Sequence, residues 1–168
     1  MTRNDGGTTE PAGGDAAGTG LYLDDLHAGQ RFETATHTLT VEDIKTFARA
    51  FDPQPFHLDE ARAAQSMFGG LAASGWHTAA ITMRLLVDRG VLADGLIGLG
   101  VEIAWPRPTR PGDTLRVEVE VLEIAPSRSR PDRGTVTMRN RTLNQKDEVV
   151  QEFTGRMMVF RKGVQSGT

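Results

Sequence analysis

The chain has 168 residues, 38% of them hydrophobic, 24% charged and 6% aromatic, with a formal charge of -3 and an isoelectric point near 5.8. That is the length of about one domain of ordinary globular composition; the absence of cysteine excludes a disulfide framework, a thiolate zinc site and a cysteine nucleophile, and the acidic balance argues against a general nucleic-acid binder. No apolar run approaches the roughly 18 residues of a membrane span, and residues 1–20 carry no apolar core of a secretory signal, so the expected setting is cytoplasmic, with no membrane partner.

Residues 1–20 hold no large apolar side chain after Met1, too little to offset the entropy of ordering, and are expected to form a disordered tail. Residues 163–168 are its short C-terminal counterpart, which leaves residues 21–162 as one domain. Residues 30–38 read as a first strand. Thr40 is placed to cap a helix, with Asp43 at the third helical position and Ile44, Phe47 and Phe51 on its apolar face. Pro53 ends that helix, and Asp59 caps a second, short one through Met67 that buries Ala61, Ala64 and Phe68.

A third helix is predicted from Gly75 to Arg89. Trp76, Ala79, Ala80, Met83, Leu86 and Val87 make one stripe, while Ile81 and Leu85 fall on other faces, the pattern of a helix covered on most sides. Downstream the period changes to two. Ile97, Leu99, Val101 and Ile103 alternate with small or polar residues, as do Leu115, Val117, Val119 and Val121, and residues 135–143 and 149–160 repeat the pattern more weakly. Turn signals separate these runs. One long helix followed by at least four antiparallel strands implies an α+β fold, its curved sheet wrapped around that helix.

Two segments carry chemistry. In Phe51-Asp52-Pro53-Gln54-Pro55-Phe56-His57, two prolines stiffen the chain between a carboxylate and an imidazole, an arrangement suited to general acid–base work. The same spacing also fits a plain turn in which Asp52 caps and His57 satisfies a carbonyl. In Phe68-Gly69-Gly70-Leu71-Ala72-Ala73-Ser74-Gly75-Trp76, Ser74 is a good N-cap. It leaves N–H groups near Gly75 free at the positive helix end, where an oxyanion is stabilised; glycines serving close packing explain the same residues.

Together the two segments resemble the MaoC-like dehydratases, the (R)-specific enoyl-CoA hydratase family with the hot-dog fold. That family carries a Gly-Asp-x-Asn-Pro-aliphatic-His loop and, further on, a His-Gly at the start of its central helix. Arg110-Pro111-Gly112-Asp113-Thr114-Leu115 is similar to the family's turn between strands, and the likeness runs over about residues 21–161. It implies that Asp52 and His57 are the catalytic pair, with Gly75, Ser74, Trp76 and Gln54 forming the oxyanion and substrate-binding set. The implied reaction is reversible hydration of a 2-enoyl thioester, on coenzyme A or acyl carrier protein, to the (R)-3-hydroxyacyl product without a cofactor. A homodimer with joined sheets is implied as well. Phe51, Gln54 and Ser74 depart from the family's Gly, Asn and His. Two other functions stay open, a hot-dog acyl-CoA thioesterase and a non-catalytic acyl-CoA-binding module.

Of the remaining residues, His77 is expected to be a satisfied core histidine, Asp59 a helix cap, and Phe51, Phe56 and Trp76 either core or pocket wall. His27 and His37 show no ligand-like spacing, and the sequence has no metal signature. Positive charge is concentrated late in the chain, twelve Lys and Arg against nine Asp and Glu from Val101 onward. The loops holding Arg107 and Arg110, and Arg128, Arg130 and Arg133, are therefore candidates to meet the phosphates of coenzyme A.

Overall fold

A computed structural model of the protein describes residues 20–163; the expected tails lie outside the described residues, apart from Gly20 and Gly163. Three long strands, β4 (Thr114–Pro126), β5 (Arg133–Leu143) and β6 (Val149–Phe160), run as an antiparallel meander. The short strand β1 (Arg31–Glu33) extends the sheet on β4, and β3 (Ile97–Ala104) pairs with β6 at the other edge. The alternation legible in the sequence sets which face is inward. Leu115, Val117, Val119 and Val121 of β4 are buried together with Val136 and Met138 of β5, while Arg116, Glu118 and Glu120 of β4 pair with charges on the outer face.

The single strand expected over residues 30–38 is split into β1 and β2 (His37–Thr38), both on the same edge of β4. Thr34 causes the break: its hydroxyl accepts the Val117 N–H at 3.0 Å, where a ladder carbonyl would otherwise sit.

Helix α1 (Val41–Phe51) starts as expected, in a capping box in which Thr40 and Asp43 each accept the other's backbone N–H. Ile44 and Ala48 are buried, but Phe51 is 76% exposed and so is no core residue. The turn expected around the two prolines contains a one-turn helix, α2 (Pro55–Leu58), because Pro55 stands at its first position, where the missing N–H costs nothing. Asp59 caps α3 (Glu60–Ala64) as predicted. That helix is shorter than expected and buries Ala63 instead of Ala61 and Ala64, since a single turn directs one side chain inward; Phe68, also expected to be buried, is half-buried.

The long helix α4 spans Gly75–Arg89 as predicted, but its inward face is not the predicted stripe. His77, Thr78, Ile81, Thr82, Leu85 and Leu86 are buried, whereas Trp76, Met83 and Val87 are exposed. The threonines face inward because their hydroxyls are satisfied there. Thr82 donates to the Thr78 carbonyl at 2.9 Å, shares a bond with Thr142 at 2.6 Å and accepts from Gln151 at 3.0 Å. Reading Thr as polar hid this face.

His77 sits where α1 meets α4, its ring stacked on Phe47 at 4.5 Å with the planes 4° apart. It is a core histidine, as expected, but not a satisfied one, because its buried Nδ1 has no hydrogen-bond partner among the described residues. Burial pushes its pKa below the ordinary 6.5, Asp43 opposes that shift, and His37 adds to it. The unfolded chain therefore takes up a proton more readily than the folded one, and stability is lost as pH falls below about 6.5. His77→Phe keeps the stacked ring and removes the titration. Its urea midpoint is expected to change less than the wild type's between about pH 7 and pH 5, as measured by circular dichroism.

Candidate active site

The candidate site is assembled from three pieces of chain: the C-terminal end of α1 with α2, the glycine-rich segment before α4, and the 105–110 turn after β3. Pro53 stops α1 so that Asp52 becomes its C-cap, its side chain 18% exposed. His57, on α2, is buried. Its Nδ1 lies 2.7 Å from the Ala72 carbonyl oxygen. A carbonyl only accepts, so Nδ1 carries a proton and Nε2 is the ring nitrogen left to face the cleft. That nitrogen is 3.4 Å from Asp52 Oδ2. The two groups predicted as a pair are thus brought together, side by side on one wall of a cleft of about 510 Å³.

Ser74, the N-cap of α4, donates its hydroxyl to Asp52 Oδ2 at 2.7 Å and accepts the Trp76 N–H at 3.2 Å. Gln54 donates its side-chain amide to the other carboxylate oxygen, Oδ1, at 2.7 Å. Burial raises the pKa of Asp52, but the Ser74 and Gln54 hydrogen bonds and the adjacent His57 together outweigh it and hold the carboxyl below its ordinary value. Ser74 and Gln54, two positions where the sequence departs from the family pattern, are therefore both joined to the acid.

Gly75 opens α4, and its N–H makes no hydrogen bond among the described residues, as expected of a first-turn amide. The indole of Trp105 lies directly over it, where a Cβ on residue 75 would come within 2.7 Å of the ring. Trp105 is fixed by its own N–H, which Gln151 accepts at 2.8 Å. Trp76 also lines the cleft, 61% exposed and edge-on to Trp105. Phe56 meets the His57 ring edge-on at 4.6 Å, a pocket wall in a half-buried position. Phe51 does not line the cleft.

Sequence reasoning missed what holds the glycine-rich segment. The guanidinium of Arg110 donates to the carbonyls of Phe68, Gly70 and Leu71, and the Ala73 N–H donates to the Thr109 carbonyl. Arg110 is thus committed inside the protein and does not offer its charge to a ligand. Arg133 is likewise engaged, paired with Asp132 and stacked over Phe160. Arg107 alone of the five arginines singled out both lines the cleft and keeps an exposed side chain. Nothing in the residue spacing signals a guanidinium reaching carbonyls 40 positions earlier; a lone arginine before Pro-Gly-Asp was the one visible cue. Among the described residues no group of His, Cys, Asp or Glu is placed to hold a metal ion, and no helix is long and apolar enough to cross a membrane.

Known proteins share this fold. The family model described as MaoC like domain matches residues 25–145. The crystal structure of the MaoC-like dehydratase from Rhodospirillum rubrum is 61% identical, with a TM-score of 0.85 over 86% of this chain and 100% of that one. The uncharacterized protein YdeM of Bacillus subtilis is 37% identical over 84% of this chain and 99% of its own. The 3-hydroxybutyryl-CoA dehydratase of Methylorubrum extorquens is 33% identical over 66% and 69% respectively. The α+β sheet-and-helix architecture is the hot-dog fold of these proteins.

Because the Ser74 hydroxyl donates to the charged form of Asp52 and so lowers its pKa, Ser74→Ala is expected to move the apparent pKa of Asp52 upward. Carbon-detected NMR titration of the Asp52 carboxyl in both proteins checks the direction.

Proposed function

The chain belongs to the MaoC-like domain family, and from that premise we propose that it catalyses reversible hydration of a 2-enoyl thioester to a 3-hydroxyacyl thioester. The observation that carries this reading is the shared aim of three groups: the Asp52 carboxylate, Nε2 of His57 and the free Gly75 N–H all border one cleft. A water held between the carboxylate and Nε2 gives a proton to the pair as its oxygen bonds to C3 of the double bond. The electrons move through C2 onto the thioester oxygen, where the Gly75 N–H at the helix end donates a hydrogen bond to the developing charge. The pair then returns the proton to C2. Oxygen and hydrogen are delivered from one side, a syn addition, and the (R) configuration at C3 is what the family resemblance implies. In this reading Ser74 and Gln54 are positioning residues. They hold the carboxylate ionised and aimed, so that the departures at these two positions still leave Asp52 supported.

The substrate is proposed to be an acyl-CoA ester, for which the relative acting on 3-hydroxybutyryl-CoA is the support, and Arg107 at the cleft is the remaining arginine suited to a phosphate. Two copies are proposed to associate through β3, an edge strand whose Ile97, Leu99 and Val101 are exposed next to Trp76, Met83 and Val87 of α4. The setting is proposed to be the cytoplasm.

Two measurements test this. Loss of enoyl absorbance on incubation with crotonyl-CoA is expected for the wild type, and Asp52→Asn is expected to lower turnover by roughly 10² to 10⁴. A variant at full speed removes Asp52 from the chemistry, and thiol release without hydration replaces this reaction with thioester hydrolysis. Light scattering is expected to give about twice the 18.3 kDa chain mass; a monomer at micromolar concentration contradicts the association through β3.

A further inference from the structure

The largest fully buried polar side chain among the described residues is Gln151, on β6. It pairs directly with Thr142 of β5, so the two point to the same face of the sheet. Immediately before it the ladder slips. Val149 faces Leu143 and Val150 is left over, a bulge of the kind found beside sites that need a side chain aimed. Burying an amide costs stability unless its polar atoms are bonded, and here both ends are.

The groups around Gln151 fix its chemistry. The Thr82 hydroxyl spends its proton on the Thr78 carbonyl at 2.9 Å, so toward Gln151 it can only accept, and the amide Nε2 donates to it at 3.0 Å. The indole N–H of Trp105 can only donate, and the amide Oε1 accepts it at 2.8 Å. A position that donates to α4 and accepts from the turn after β3 suits an amide or a protonated carboxyl, and no apolar side chain does both. The Trp105 ring held in this way lies on Gly75, where a Cβ would come within 2.7 Å of it. Gly75 and Thr82 stand two turns apart on one helix. Gln151 therefore grips α4 twice, directly at Thr82 and through the indole at Gly75.

We infer that Gln151 is a positioning residue for the oxyanion donor: through Trp105 it holds the Gly75 N–H against the cleft, although Gln151 itself does not line that cleft. The inference rests on the hydration reading above, in which this N–H meets the thioester oxygen. Without the amide, the indole N–H loses its acceptor in the core and the ring turns toward solvent, where Trp105 is already 39% exposed. Water then reaches the start of α4 from the side the ring had covered and competes for the hydrogen bond that the developing charge needs. The loss falls on turnover more than on binding, because that bond is strongest in the transition state.

Gln151→Leu is expected to lower kcat for crotonyl-CoA by about ten- to a hundredfold, the scale of a small misplacement near the reacting atoms, with KM little changed. Gln151→Glu, whose buried carboxyl is protonated at about pH 6 and offers the same donor and acceptor, is expected to restore most of that loss. Trp105→Phe is expected to cost as much as Gln151→Leu, and the double variant no more than either alone. Thr142→Val removes a different hydrogen bond to the Thr82 hydroxyl; it is expected to lower the urea midpoint and leave kcat unchanged. The amide resonance of Gly75 needs no turnover: saturating butyryl-CoA is expected to shift it in the wild type and to shift it less in Gln151→Leu. If crotonyl-CoA is not hydrated but the resonance behaves in this way, the hydration reading fails and the positioning role stands. A wild type that hydrates crotonyl-CoA while Gln151→Leu keeps its kcat overturns the role and leaves the reading. A Gly75 resonance that the ester does not move overturns the role, as does a Gln151→Glu no faster than Gln151→Leu at about pH 6. An equal loss of kcat in Thr142→Val also overturns it, since the amide would then be a general support of the core.

Discussion

The bond from His57 Nδ1 to the Ala72 carbonyl is the constraint on which the rest of the site depends. It decides which ring nitrogen carries the proton, and so leaves Nε2 free to face Asp52. It also joins two segments 15 residues apart, the helix that carries the imidazole and the loop that leads to Gly75. With the Ser74 hydroxyl bonded to Asp52, this contact ties the Asp52–His57 pair to the start of α4. Arg110 secures the same loop from behind by gathering the carbonyls of Phe68, Gly70 and Leu71, carbonyls that would otherwise lack partners near the protein interior. The geometry of the candidate site is produced by backbone groups fixed in place, with the side chains of Asp52 and His57 hung upon them.

The carboxylate shows how a changed set of neighbours reaches a working arrangement. A serine precedes the glycine of α4 and a glutamine occupies the loop, and each sends one donor to a different oxygen of Asp52. Neither brings a charge. Two neutral donors and a nearby imidazole are enough to keep the acid ionised against its partial burial. A hydroxyl at position 74 also serves as the N-cap, accepting from the Trp76 N–H while donating to Asp52. The start of the helix and the orientation of the acid are one structural event.

Much of this was readable in the sequence where local chemistry decides the outcome. The Thr40–Asp43 box, the limits of α4 and the alternation along β4 follow from capping preference and periodicity. So did the meeting of Asp52 and His57, because prolines and a short span leave few ways to separate them. What escaped was set by distant partners. Thr78 and Thr82 turn inward because Thr109 and Thr142 share hydrogen bonds with their hydroxyls and the Gln151 amide donates to that of Thr82, and no window along the helix contains those residues. Thr34 splits a strand through one bond to β4, and Arg110 acts across the whole glycine-rich segment. Phe51 looked like core on a helical wheel yet lies at the end of α1, where the helix has run past the body it packs on.

The irregularity in β3 has a consequence of its own. Between Gly98 and Gly100 the register to β6 slips, so the regular part of this outer strand is short, and Glu102 stands exposed within it. A strand with an open edge is a template on which foreign chains can nucleate fibrils, and interruptions and charge are what blunt such templates. Here the kink falls inside the apolar run, so an intruding strand loses its spacing after a few residues. The slip between Gly98 and Gly100 therefore acts as a brake on uncontrolled polymerisation from this edge.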